Sequence, residues 1–239
     1  MTVSQIEIKG LIESSLIDWP GKIATVAFFG GCNLRCRYCH ARDIISSDGG
    51  PEGMSIESAL QYATSMAGWI DGIVISGGEP TLHGDLAGLC AEIKNLGLAV
   101  KIDTNGTRPK VLWGLCLHGL VDAIAMDVKA PLDGRYRAIV GCDADLDAIR
   151  DSIRIVKDWG EQGGDYEFRT TVAPSLTSVE DVADIAKAIE GAARYALQPF
   201  RPHVCLDAAL HELPECPREE LELRAAAARP FVENVVIRL

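Results

Sequence analysis

The segment IATVAFFGGCNLRCRYCHA, residues 23–41, joins a short apolar run to a loop that holds three of the chain's eight cysteines. The run Ile23–Phe29 is rich in β-branched and aromatic residues and predicts a buried strand. The cysteines follow as Cys32, Cys36 and Cys39, with three and then two residues between them. Thiols grouped this closely after a strand indicate a metal or cluster site with three protein ligands.

Five further apolar runs follow, separated by segments with helical periodicity. The predicted strands are Gly72–Ser76, Leu98–Asp103, Ala123–Val128, Tyr166–Val172 and Tyr195–Phe200. The helical patterns lie near 55–68, 85–96, 108–118, 143–160 and 178–190. Six strands with helical crossovers predict an α/β fold with a parallel sheet, most simply a partial (β/α)6 TIM-like barrel. A complete eight-fold barrel takes about 250 residues, which leaves too few here for loops.

The domain organisation is expected to be simple. We predict one domain over residues 1–239, with a core of about 22–201 and a C-terminal region, 202–239, that adds a helix near 217–228 and a late strand in ENVVIRL. The predicted helix near 178 has a start signal, because Ser178 can cap it and Asp181 stands three residues later. Gly97 stands where a left-handed helix C-cap is expected.

The bulk composition narrows the classes of partner. A net charge of -11 argues against nucleic acid or an anionic membrane, because phosphates would be repelled. The N-terminus lacks a signal-peptide pattern, and no apolar stretch approaches the roughly 18 residues of a membrane span. We therefore expect a cytoplasmic protein, in which clustered cysteines bind metal or carry redox chemistry.

Four explanations of the three cysteines compete. Structural zinc takes four ligands, and His40 adjoins Cys39 too closely to complete the same site. CRYCH matches a c-type haem attachment motif, but an export signal is missing. The cysteines could also be buried thiols without a metal. A [4Fe–4S] cluster is favoured: three thiolates leave one iron without a protein ligand, and an open coordination position is typical of a site that binds substrate.

Polar motifs end the next predicted strands, where α/β folds place their active sites. SGGEP (76–80) ends the second strand, and by itself it reads as a flexible turn or as a place where a ligand approaches the backbone. Asp103 and Thr104 end the third strand, and Asp127 and Lys129 the fourth. The two carboxylates predict either an ion-pair network with Lys129 or a hard-oxygen cation site that includes the Thr104 carbonyl.

The last candidates lie on the fifth and sixth predicted strands. Arg169 stands mid-strand and needs a partner, either Glu167 two residues earlier or a ligand carboxylate. Gln198 and Arg201 end the sixth strand and either close a ligand pocket or pack on the rim. Two further cysteines, Cys205 and Cys216, are too few for a second cluster.

Cys-x3-Cys-x2-Cys after the first strand, followed by GGEP after the second, resembles the signature of radical S-adenosylmethionine (SAM) enzymes. The resemblance implies that the amino and carboxylate groups of SAM chelate the open iron. The reduced cluster then cleaves SAM to methionine and a 5′-deoxyadenosyl radical. The residues expected to bind SAM are Tyr38, near the adenine, and Ser76, Gly77, Gly78, Glu79, Asp103, Lys129, Arg169, Gln198 and Arg201.

Six blocks between about residues 8 and 201 resemble the activating proteins of anaerobic ribonucleoside-triphosphate reductases. They are SLIDWPGKIATVAFFGGCNLRCRYCHA, DGIVISGGEPTL, KIDTNGTRPKVL, GLVDAIAMDVKAPL, YEFRTTVAP and LQPFRP. The resemblance implies glycyl-radical formation on such a reductase and a flavodoxin or ferredoxin-type reductant. It also implies a monovalent cation held by Asp103, Thr104 and Asp127. Ala41-Arg42 departs from the Asn-Pro that is common in that family.

Two other functions stay open at this point. A small-molecule radical SAM enzyme, such as a carboxy-deazaguanine synthase, shares the cluster spacing and a compact barrel. An electron-transfer or cluster-carrier protein would bind iron and sulfide without needing the SAM motifs. Reductive cleavage of SAM separates the electron carrier from both enzymes.

Overall fold

The computed structural model describes residues 6–45 and 52–238, which contain nine strands and seven α-helices. The strands are β1 (Glu7–Ser15), β2 (Ala24–Phe29), β3 (Met54–Ser55), β4 (Gly72–Gly77), β5 (Ala99–Thr104), β6 (Ala123–Asp127), β7 (Asp165–Val172), β8 (Tyr195–Pro199) and β9 (Val235–Ile237). The helices are α1 (Ile56–Ser65), α2 (Leu86–Asn95), α3 (Pro109–Leu117), α4 (Arg135–Val140), α5 (Leu146–Glu161), α6 (Val179–Ala188) and α7 (Arg218–Ala228).

The chain divides into two compact units and passes between them several times. The first unit comprises Met1–Asn33, Asp43–Thr104 and Lys110–Ile124, and the second comprises Leu34–Arg42, Asn105–Pro109 and Ala125–Leu239. The single domain over 1–239, part of which lies outside the described residues, therefore stays a prediction.

In the first unit the strands follow the order β3-β1-β2-β4-β5. The neighbours β2, β4 and β5 are parallel, and β1 runs antiparallel to β2 along the outer side. Apolar side chains such as Val26 and Val74 are fully covered and pack with Trp19 at the core of this unit. These continuous apolar runs form strands because both faces of a parallel sheet are buried.

In the second unit the order is β6-β7-β8-β9, with β6 begun in the first unit and completed here. β7, β8 and β9 are parallel neighbours. The capping box predicted for α6 is present, since Ser178 accepts from the Asp181 amide and the Asp181 carboxylate accepts from the Ser178 amide.

The predicted α/β class with a mostly parallel sheet is confirmed, and the six predicted strands are β2, β4, β5, β6, β7 and β8. The helix and strand expected near the C-terminus are α7 and β9. Gly97 adopts φ +79°, as expected after a helix end. Sequence patterns missed β1, β3 and α4, and they placed the start of α5 too early, because Asp145 caps that helix. Within the described ranges, no helix has the length and apolar character to cross a membrane.

Candidate functional site

The ends of β2 and β4 place two sequence motifs side by side in the first unit. Phe29 is the register partner of Gly77, so the segment leading to Cys32 and the rest of SGGEP leave the sheet together. The Gly78 amide donates to the Phe29 carbonyl at 2.8 Å, and the Glu79 amide donates to the Gly31 carbonyl at 2.9 Å. SGGEP therefore fixes the backbone that precedes the first cysteine.

The two glycines of SGGEP are required by this backbone packing. Gly77 has φ +110°, a conformation that favours glycine. A Cβ at Gly78 would overlap the backbone of Gly31. We expected these glycines to give a ligand access to the backbone; at Gly78 the protein's own chain fills that space.

Glu79 is fully buried and acts within the first unit as a hydrogen-bond acceptor. Its Oε1 accepts from the Thr81 amide at 3.1 Å, the Thr81 hydroxyl at 2.5 Å and the Thr104 hydroxyl at 2.7 Å. These donors stabilise the charged carboxylate at the start of the 3-10 turn Pro80–Leu82. Thr104 thus contributes through its hydroxyl, a contact that the sequence did not suggest.

Asp103, at the end of β5, is ion-paired with a lysine of the same strand. Lys101 Nζ lies 2.5 Å from Asp103 Oδ1, and its side chain is only 3% exposed. The Ser76 hydroxyl donates to Asp103 Oδ2 at 3.1 Å. Sequence reasoning overlooked Lys101, although residues two apart in a strand share a face and the spacing to Asp103 gave the signal.

The second unit holds the rest of the cysteine loop against α4. The Arg35 amide donates to the Val140 carbonyl at 2.9 Å, and the Arg37 amide donates to the Ile139 carbonyl at 3.0 Å. Both bonds flank Cys36, whose own carbonyl accepts from the Cys39 amide at 2.9 Å. The last turn of α4 has carbonyls without helical partners, so the loop satisfies groups that would otherwise need water.

One buried tyrosine belongs to this loop and another lies on α4. The Tyr38 hydroxyl donates to the Lys129 carbonyl at 3.4 Å, and burial raises the pKa of Tyr38 above its usual range. Tyr136, on α4, is also fully covered, and its hydroxyl has no hydrogen-bond partner among the described residues. The Lys129 backbone lies near that hydroxyl without reaching hydrogen-bonding geometry.

Asp127, at the end of β6, is held between two cations of the second unit. Lys129 Nζ lies 3.1 Å from Asp127 Oδ2, and Arg169 Nε lies 2.8 Å from Asp127 Oδ1. Burial lowers the pKa of Lys129, but the negative charges at Asp127 and Cys36 outweigh it and raise the pKa above its usual range. Both oxygens of Asp127 thus contact a cationic side chain.

Of the two partners that the sequence left open for Arg169, Glu167 is bound to another residue. Glu167 instead binds Arg238 through two short contacts of 2.6 and 2.5 Å, one to each carboxylate oxygen. Arg238 directly follows β9, and its amide donates to the Leu197 carbonyl of β8. Arg169 thereby remains directed to Asp127.

The segment that follows β8 is hydrogen-bonded to the residue after Cys39. The Arg201 amide donates to His40 Nε2 at 3.0 Å, while the Arg201 side chain is exposed. Burial lowers the pKa of His40, followed by the effect of the Arg201 charge, so the ring is held neutral as an acceptor. Gln198 is half-buried in β8 opposite Thr171. His40, considered from the sequence as a zinc ligand or as part of a haem-attachment motif, therefore anchors the segment after Cys39.

The three cysteines suit a cluster by their donor type and covering. Cys36 is buried, and Cys32 and Cys39 are half-buried. Burial raises the pKa of the Cys39 thiol, a cost that coordination overcomes because a metal deprotonates its thiol ligands. Cys32 belongs to the first unit and the other two to the second.

A cavity of about 230 Å³ lies beside Lys129 in the second unit. Arg37 and Arg135 contribute charge to its lining, and Ile139 and Leu176 contribute apolar surface. Arg37 is ion-paired with Asp207 at 2.7 Å, and Arg135 is ion-paired at 2.7 Å with Asp181, which also lines the cavity. The cavity therefore offers a mixed rather than a strongly charged surface.

Comparisons with known proteins identify the family of this chain. The Radical SAM superfamily model matches residues 26–189. A Methanocaldococcus jannaschii protein named "putative glycyl-radical enzyme activating enzyme" is 36% identical over 97% of this chain and 95% of its own length. The pyruvate formate-lyase-activating enzyme of Clostridium pasteurianum is 31% identical over 79% of this chain and 80% of its own length.

Solved structures share the fold at low sequence identity. A radical SAM methyltransferase from Sphaerobacter thermophilus has a TM-score of 0.67 and 16% identity, covering 92% of this chain and 67% of its own. Streptococcus suis SuiB bound to its precursor peptide SuiA has a TM-score of 0.64 and 13% identity, covering 87% of this chain; the chain spans 47% of SuiB. Because the family model covers more than half of the sequence, and relatives match it over most of their length, the chain belongs to the radical SAM superfamily, whose members use a [4Fe–4S] cluster and SAM.

Proposed function

We propose that this protein is a glycyl-radical enzyme activating enzyme and that its target is an anaerobic ribonucleotide reductase. The observation that carries the general activity is 36% identity with a named activating enzyme across almost the whole of both chains. The particular target is supported by the six ordered blocks that resemble reductase activating proteins. Flavodoxin or a ferredoxin-type protein is the proposed electron donor.

The roles of the residues are proposed from the sequence motifs, and their contacts support the proposal. Cys32, Cys36 and Cys39 are the proposed ligands of the [4Fe–4S] cluster, which when bound supplies the electron for reductive cleavage of SAM. SGGEP positions the backbone before Cys32, and α4 positions the backbone around Cys36. Lys129 and Arg169, whose cationic groups both contact Asp127, are the proposed partners of a carboxylate such as that of SAM.

Further SAM contacts are proposed from the sequence motifs. Tyr38 would pack against the adenine, and the SGGEP segment, Ser76 to Glu79, would bind near the SAM amino group. Gln198 and Arg201 would bound the pocket at the end of β8. Arg201 has an exposed side chain that is free to reach a ligand, since only its backbone amide is used by His40.

The three-ligand assignment is tested by iron and sulfide content after anaerobic reconstitution. Alanine at Cys32, Cys36 or Cys39 should abolish the electron paramagnetic resonance signal of the reduced cluster and the cleavage of SAM. Alanine at Cys90 or Cys205, both buried, provides the matched control and should retain full iron. An equal loss of iron in either control would contradict the assignment.

The target is tested by incubating the reduced enzyme with SAM and an anaerobic ribonucleotide reductase. We expect a glycyl-radical doublet on the reductase, and transfer of deuterium from the labelled glycine into 5′-deoxyadenosine. A pyruvate formate-lyase serves as the comparison acceptor. A doublet on that protein alone would keep the activase function and reject the reductase as target.

A second function has its own support. The 7-carboxy-7-deazaguanine synthase of Thermococcus kodakarensis is 27% identical over 77% of each chain. A small-molecule enzyme of this kind would transfer hydrogen from its heterocyclic substrate to 5′-deoxyadenosine with no protein acceptor. Label transfer from such a heterocycle, with none from any glycine, would replace the activase proposal.

The cytoplasm is the proposed location. A reducing compartment keeps cysteine thiols available as cluster ligands, whereas oxidising compartments favour disulfides. Fractionation followed by detection of the protein in the cytoplasmic fraction is the direct check.

A further inference from the structure

The resemblance to glycyl-radical activating enzymes implies a monovalent cation between Asp103 and Asp127, but the surroundings of both carboxylates do not fit one. Metal cations of this kind bind oxygen ligands, and a carboxylate whose charge is already balanced by a nearby cation attracts them less. In this chain each of the two carboxylates contacts a cationic side chain of its own unit. Each unit is considered by itself below.

In the first unit the cation against Asp103 is Lys101. Its ammonium lies 2.5 Å from Asp103 Oδ1, and the side chain is 3% exposed, so this charge is not shared with solvent. The other carboxylate oxygen accepts from Ser76 at 3.1 Å. An added metal ion at Asp103 would meet the like charge of Lys101 at short range, in a place where water screens little.

In the second unit Asp127 contacts two cationic side chains. Lys129 lies 3.1 Å from one of its oxygens, and Arg169 lies 2.8 Å from the other. Both oxygens of this carboxylate already contact a cationic side chain, which disfavours a metal ion at Asp127.

We infer that Lys101 is a built-in substitute for the monovalent cation, so that SAM binding by this enzyme does not depend on potassium or sodium. Lys101 neutralises Asp103 from within strand β5 and keeps that carboxylate in position beside Ser76. It is a positioning residue, because its ammonium contacts Asp103 rather than the substrate. The inference rests on SAM binding, and it is independent of which protein or small molecule donates the hydrogen atom.

The test is equilibrium binding of SAM to the cluster-loaded enzyme under anaerobic conditions. The only inorganic cation is potassium in one buffer, and tetramethylammonium replaces it in the other at equal ionic strength. For the unaltered protein we expect dissociation constants that agree within about twofold, a factor small against the tenfold that defines a clear coupling. A tenfold gain in affinity on adding potassium would overturn the inference.

Substitution of Lys101 should make SAM binding depend on potassium. In Lys101→Met the Asp103 carboxylate loses its cation, so SAM affinity should fall about tenfold in tetramethylammonium and recover in potassium, which can then occupy the site. Lys110→Met, at an exposed lysine of the same unit, is the control and should bind equally in both buffers. If Lys101→Met binds SAM like the unaltered protein in tetramethylammonium, Lys101 does not serve as the substitute cation.

A double variant separates loss of charge balance from loss of fold. Lys101→Met with Asp103→Asn removes both charges of the pair, which avoids leaving a buried charge alone. The double variant should fold and should lose the potassium dependence of the single variant. Potassium dependence in the double variant would show that the ion binds elsewhere and would overturn the inference. Failure of the glycyl-radical assay would leave these binding results unaffected, so the two proposals are distinguishable.

Discussion

The Glu79 amide donates a hydrogen bond to the Gly31 carbonyl at 2.9 Å, and this bond ties SGGEP to the segment that leads into Cys32. Between its two partners there is no room for a side chain at Gly78, whose Cβ would overlap Gly31. Gly78→Ala should therefore lower the free energy of unfolding by about 2 kcal/mol, as overpacking does, and should reduce iron retention.

Gly84→Ala is the matched control for that variant, because a Cβ at Gly84 would meet no atom within 4 Å. Its free energy of unfolding should stay within about 0.5 kcal/mol of the unaltered protein. Urea unfolding of both variants checks the pair. Equal stability of the two alanine variants would contradict the close approach at Gly31.

The buried hydroxyl of Tyr136 offers a stability test. It has no hydrogen-bond partner among the described residues, so Tyr136→Phe removes an uncompensated polar group. The free energy of unfolding should be unchanged or should rise by up to about 1 kcal/mol. In contrast, Tyr195 donates to the Thr170 hydroxyl at 2.7 Å, and Tyr195→Phe should lose about 1 kcal/mol. A larger loss at Tyr136 than at Tyr195 would reveal a partner for the Tyr136 hydroxyl.

The buried carboxylate of Glu167 should make Arg238 important for stability. Arg238 binds both oxygens of Glu167, whose side chain is 5% exposed. Arg238→Met leaves that charge without its cation, so the free energy of unfolding should fall by about 3 kcal/mol, the low end for a broken buried pair. Arg229→Met breaks only an exposed contact to Glu222 and should cost less than about 1 kcal/mol. Similar losses in the two variants would argue against the Glu167 pairing.

The carboxyl group of Asp133 should titrate unusually low. Hydrogen bonds from the Arg135 side chain, and then from its amide, lower the pKa of Asp133 to about 2. Because this value lies below the unfolded value of about 3.9, the stabilising effect is present above that pH and is lost as the pH falls toward 2. Its size is reduced by solvent screening at this exposed pair.

Nuclear magnetic resonance titration of the Asp133 carboxyl carbon measures that pKa directly. Arg135→Gln should raise the pKa toward its usual value, and the hydrogen bond from the residue 135 amide should still hold the pKa somewhat below it. Arg137→Gln, on the same helix but paired with Asp143, should leave the Asp133 titration where it was. A shift of equal size in both variants would assign the effect to net charge rather than to the hydrogen bonds.

Much of this site could be predicted from sequence because its motifs are local. The cysteine spacing, SGGEP and the strand-end acids are short patterns, and parallel strands bring their carboxyl ends to one edge. Glu167 was only one of two partners considered for Arg169, and its observed partner, Arg238, is 71 residues away along the chain, a distance over which periodicity gives no information.

Two other omissions have local causes. Helix α4 spans six residues and has no side-chain cap at Gly134, so neither periodicity nor an N-cap signal marks it. Lys101 was not predicted as a site residue because it stands inside an apolar run. Its spacing to Asp103 and its position inside β5 together contained the information.

The attachment of the cysteine loop to α4 has a consequence for how this sequence can vary. The contacts on either side of Cys36 use main-chain atoms of Arg35 and Arg37, so the intervals between cysteines are imposed by the peptide backbone and not by side-chain identity. The intervening side chains are then available for separate tasks, as Arg37 illustrates by binding Asp207. The length of the loop is therefore constrained, whereas its side chains can vary. Inserting one residue should break the main-chain bonds to α4, whereas replacing Arg37 should remove only its ion pair with Asp207.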